Sequence, residues 1–138
     1  MNLEHIKGQL QHVSAELAKM ESLLQEQLVK VDALANEKAA TVSREIRILE
    51  CTIRDAKARR RHLVVEALTP KCDELFGERN MLCVACDRDK REIRADHEIA
   101  TRDMRAQRDR LFKILADAAA HERQRELQIR RHRKIPVM

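Results

Sequence analysis

The sequence predicts an all-α fold built from long coiled-coil helices, and three observations carry that prediction. Apolar residues recur at steps of three and four along most of the chain. The composition is 37% charged and 43% hydrophobic, with two Gly, two Pro, two Phe and no Trp or Tyr in 138 residues. A single Thr69-Pro70 step separates two helix-patterned stretches of nearly equal length. Large aromatics normally dominate core burial, so a chain this charged and this poor in rings suits long helices better than a globular core.

The first stretch holds the strongest pattern. Leu3, Ile6, Leu10, Val13, Leu17, Met20 and Leu24 alternate three- and four-residue steps, and Val31 and Leu34 continue the frame across Gln27. That is a heptad seam expected to grip a partner helix. Leu23 and Leu28 widen it enough for more than one neighbour. The frame falters between Asn36 and Arg44, where Lys38 and Thr41 would fall on core positions. It resumes one residue out of phase at Ala39, Val42, Ile46, Leu49, Ile53, Ala56 and Leu63. Such a skip changes supercoiling locally without ending a helix.

Leu68-Thr69-Pro70 is where a bend is expected. Proline lacks an amide hydrogen and disfavours helical geometry in the residue before it. Thr69 also reads as an N-cap and Pro70 as a first helical position, with Asp73 and Glu74 in the first turn. Gly77 and Asn80 would permit a second bend. The expected organisation is a first coiled-coil helix over 1–68, an elbow over 69–80, and a second helix with a basic end over 81–135. The second stripe is thinner: Leu82, Cys86, Ile93, Ala100, Met104, Leu111, Leu115, Ala118 and Ile129. An antiparallel hairpin would set the charged stretch 87–98 against the weak Asn36–Arg44 waist and the Leu3–Leu34 seam against the region from Met104 onward. The alternative is a near-continuous parallel dimeric coiled coil kinked at Pro70.

Charge is mostly interleaved, as on solvated helix faces, and sums to +5. Two basic runs stand out, Arg59-Arg60-Arg61-His62 and Arg130-Arg131-His132-Arg133-Lys134. Clustered guanidinium groups bind carboxylates and phosphates bidentately, so Arg59, Arg60, Arg61, Arg130, Arg131, Arg133 and Lys134 are the candidates for binding an acidic partner. Nucleic acid is disfavoured, because stacking aromatics and any known DNA-binding module are absent. Membrane binding is disfavoured as well, since Leu127 and Ile129 are the only apolar anchors among the terminal arginines. No apolar run approaches membrane-span length and no signal-peptide layout opens the chain, so a cytoplasmic protein with reduced thiols is expected.

Cys83-Val84-Ala85-Cys86 is a C-x-x-C, with Cys72 and His97 nearby in sequence. These four are weak zinc candidates, because structural zinc sites usually bring two close ligand pairs together. On a helix Cys83 and Cys86 serve equally well as small core residues, and no βαβ context supports redox chemistry. The six histidines lack helical metal spacing, and neither a nucleophile turn nor a Gly-rich loop is present. No cofactor and no catalytic set is predicted; the chain reads as a non-enzyme.

These features predict a structural coiled-coil subunit of a cytoskeletal or filamentous assembly. Its seam residues would bind other coiled-coil proteins or a second copy of itself. Its arginines would meet an acidic surface such as tubulin in a microtubule or ciliary setting. In layout the chain also resembles the stalk proteins of flagellar and type III export, short charged hairpins that contact a rotary ATPase, which implies a coupling role. A zinc-binding adaptor built on Cys72, Cys83, Cys86 and His97 is the third expectation.

Overall fold

A computed structural model describes residues 2–134 as two helices, α1 over Leu3–Ala58 and α2 over His62–Lys134. The fold is all-α, as the periodicity predicts. Two compact units divide the chain, one formed by Met1–Ser22 with His97–Met138 and the other by Leu23–Asp96.

Helix α1 starts on a side-chain cap. The Asn2 carboxamide oxygen accepts the amides of Glu4 at 3.1 Å and His5 at 3.4 Å, which satisfies two of the donors left free at a helix start. Its far end closes with a different device. The Arg61 amide donates to the Ala56 carbonyl at 2.8 Å and the Arg60 amide to the Lys57 carbonyl at 3.2 Å. This six-to-one, five-to-two pair is a Schellman motif, and Arg60 takes the left-handed conformation it requires, with φ of 58°.

The chain therefore turns at Arg59–Arg61, about ten residues before the predicted bend. Pro70 lies inside α2, and so do Gly77 and Asn80, so the expected elbow over 69–80 is continuous helix. Pro70 and Glu66 are both exposed, so the carbonyl that proline leaves without an amide faces solvent and the break is tolerated. Thr69 is not a cap. Its hydroxyl donates back to the Val65 carbonyl at 2.7 Å, a bond that favours a gentle bend over a stop.

Within Leu23–Asp96 the chain folds back on itself as an antiparallel hairpin. Asp32 meets Lys90, and Arg79 donates to the Ser43 hydroxyl at 3.4 Å. The guanidinium of Arg79 also lies 4.9 Å from the centre of the Phe76 ring, a cation–π contact. The Asn36–Arg44 waist thus faces the region around Arg79, and the charged stretch 87–98 lies closer to Asp32. Leu24, Leu28, Ile46, Ala56 and Cys72 are buried here. Val64, Val65 and Leu68 are half-buried beside the turn, the packed hairpin end their clustering suggests, whereas Leu63 is 82% exposed.

The buried side of α1 runs Leu24, Leu28, Val31, Ala35, Ala39, Val42, Ile46, Leu49, Ile53 and Ala56. Its four-four-three step from Val31 to Val42 is an eleven-residue repeat, which untwists a left-handed supercoil. Leu82, Cys86, Lys90 and Ile93 make the same step on α2. The sequence skip is real, but it is spread over this repeat and not confined to one point.

In the other unit Ile6, Val13, Thr101 and Leu111 are buried. Thr101, 1% exposed, occupies the seam where Ala100 was expected. Its hydroxyl donates to the His97 carbonyl at 2.9 Å, so a polar group is buried without a missing partner. His97 in turn faces Glu21, with Nε2 at 3.3 Å from Oε2.

Candidate protein-interaction surfaces

Most of the predicted seam residues are occupied inside the chain. Ile6, Val13, Leu24 and Ile46 are buried, and Leu10, Leu17, Met20, Val31, Leu49 and Ile53 are half-buried. Leu3 and Leu34 are exposed. Ala35 takes the place expected for Leu34, because the eleven-residue step rotates the stripe, and before that step Leu28 is buried where Gln27 is exposed.

One polar node crosses the hairpin. Lys90 Nζ is 3.0 Å from Asp32 Oδ1 and 4.0 Å from Asp87, and the Cys86 thiol donates to the same Asp32 oxygen at 3.6 Å. The hydrogen bond from Lys90 holds the Asp32 carboxyl below its ordinary range, and the reciprocal bond raises Lys90. Burial pushes the Cys86 thiol up, helped by the Asp32 carboxylate beside it, so this sulfur is a protonated donor and not a reactive thiolate. The node escaped the sequence reading. Its signal in the sequence is a lysine on the stripe of α2 and an aspartate directly after the seam residue Val31 of α1.

The cysteines differ in burial, although Cys83 and Cys86 border one cleft of the hairpin. Cys72 is buried, and burial raises its thiol; Cys86 is half-buried, while Cys83 and Cys51 are exposed. The core-thiol reading fits Cys72 and does not fit Cys83. Among the described residues no three His, Cys, Asp or Glu side chains gather as a metal-holding group. Nor is any described helix long and apolar enough to cross a membrane.

The arginines fall into two groups. Arg59, Arg60 and Arg61 are the turn itself, all exposed, with Arg59 tied to Asp55 at 3.4 Å. Opposite them in sequence, α2 ends as a bare helix. Ala118 is its last half-buried residue, and every residue from Ala119 to Arg133 is exposed, including Arg130, Arg131 and Arg133. The side chain of Lys134 lies outside the described residues. The bare stretch carries Arg123 and Arg125 as well, against Glu122 and Glu126 alone.

An open groove of about 400 Å³ lies on one flank of the hairpin, lined by Ile48, Leu49 and Leu75 with Glu45, Lys71, Glu74 and Glu78 around them.

Neither a family model, nor a curated protein, nor a solved structure matches this chain.

Proposed function

We propose that the chain is a non-enzymatic structural subunit of a larger assembly, a helical hairpin that docks on an acidic protein surface through its arginines. The observation that carries this reading is the end of α2, where Ala119–Arg133 is helical and exposed on every side. A helix with no packed face is stabilised little by its own chain. Five arginines along it offer forked donors that match surface carboxylates bidentately. The acidic surface we propose is that of the microtubule, with a cytoskeletal or ciliary setting. Co-sedimentation with microtubules is expected to persist at physiological salt. Reversing Arg130, Arg131 and Arg133 to Glu is expected to abolish it while leaving the far-ultraviolet helical signal of the hairpin intact. Binding that vanishes with modest added salt would mark plain charge attraction and overturn the reading.

A second reading has a specific observation in its favour. The Leu23–Asp96 unit closes as a hairpin from one chain, the layout of export-ATPase stalk proteins, and its exposed turn carries Arg59, Arg60 and Arg61. On that reading the hairpin couples to an export ATPase, and stimulation of ATP hydrolysis by the purified chain is the observation that would select it.

A further inference from the structure

We propose that the Leu23–Asp96 unit carries a self-complementary flank through which two copies of the chain pair, α1 against α1, in antiparallel directions. Leu34 and Ile48 are 54% and 66% exposed, yet each directly precedes a half-buried residue, Ala35 and Leu49. A residue one position before the seam projects about 100° to its side. The two leave α1 fourteen residues apart, close to four whole turns, so they share one flank. Lys38, Thr41 and Glu45 lie between them on that flank, each one position before Ala39, Val42 and Ile46.

Charge decides the occupant. Leu34 is followed one turn later by Lys38, whereas Ile48 is preceded by Glu45 and sits in a groove whose charged lining is three carboxylates, Glu45, Glu74 and Glu78, against the single cation Lys71. A second copy laid parallel and in register would set Lys38 on Lys38 and Glu45 on Glu45. Laid antiparallel, with a two-fold axis near Thr41, it places its Leu34 over the Ile48 groove and its Lys38 against Glu45. The same exchange occurs again on the other side of the axis. One flank meeting itself about a two-fold axis is a closed interface, which yields a pair and not a filament. Apolar groups at both ends of the flank are covered, and the cations meet the acidic rim.

Sedimentation equilibrium of the full chain is expected to show a mass rising with concentration toward twice the 16.1 kDa of one chain. Lys38→Glu and Glu45→Lys each put like charges into both exchanges, and each alone is expected to weaken pairing about tenfold. In an equimolar mixture of the two variants both exchanges again join opposite charges, so the pair is expected to return. Circular dichroism should match the wild type throughout, because both side chains are exposed. A single-chain mass over the whole micromolar range overturns the proposal, as does pairing indifferent to both substitutions or a mixture no tighter than its components. Binding of an acidic partner by the C-terminal arginines is a separate property, and its success or failure leaves these outcomes unchanged.

Discussion

Arg60 bears a cost that glycine would not. A side chain in the left-handed region brings Cβ close to the following carbonyl, which costs about 1–2 kcal/mol, and Arg60 sits there with φ of 58°. Arg60→Gly is expected to keep the turn and raise stability by about 1 kcal/mol, read as a higher midpoint in urea unfolding. A fall in that midpoint would show that the guanidinium itself holds the turn. Asp32 and Lys90 yield a prediction in pH. The carboxyl of Asp32 is lowered in the folded chain, chiefly by the Lys90 hydrogen bond, so its contribution is complete above the unfolded value near 3.9 and is lost as pH falls through the lower folded value. Lys90 is raised, so its contribution is complete below about 10.4 and is lost as pH rises through the higher folded value. Thermal midpoints of wild type and Asp32→Asn are therefore expected to differ by a constant amount between about pH 5 and pH 9 and to converge at both extremes. A difference that persists in strong acid would remove the pair from the account.

Helix α1 was the most legible element, because its apolar residues lie at steps that only a helix can place on one face. Ile6, Val13, Leu24 and Ile46 are buried as their spacing predicts. Leu34 was misplaced for a physical reason: a strict heptad frame carried past Val31 ignores the four-four-three step that an undistorted helix follows more closely. Ala35 and Ala39 mark that step, and small side chains give a weak signal in any hydrophobic pattern. On α2, Thr101 could not be read as core from its type, since its burial depends on a hydroxyl bond to the His97 carbonyl. Ile46, 2% exposed, tests the seam. Ile46→Ala removes three carbons from a packed position and is expected to cost about 2–4 kcal/mol, measured by chemical denaturation; a loss under about 0.5 kcal/mol would place the core elsewhere.

At the scale of the whole molecule, a fold of two long helices was legible and the position of the turn was not. Thr69-Pro70 carried the strongest breaking signal in the sequence, yet an exposed proline early in a helix loses one bond that solvent can replace. The true turn is built from Arg59, Arg60 and Arg61, residues of high helix propensity with no glycine to advertise a left-handed cap. That displacement reorders the pairing. The first helix ends ten residues early, so α1 is the shorter of the two, and on α2 every residue from Ala119 to Arg133 is exposed. The candidate surfaces were legible in part for the same reason: the arginine runs could be named from the sequence, but their assignment to a turn and to a bare end could not.

Roughly fifteen residues of uncovered helix is near the length at which a solitary helix in water is only marginally formed. Melting on warming should therefore begin at this tip, well before the paired body yields. Whatever clasps the tip must supply its ordering free energy as well as the contact, which makes the clasp weaker when warm and readily released.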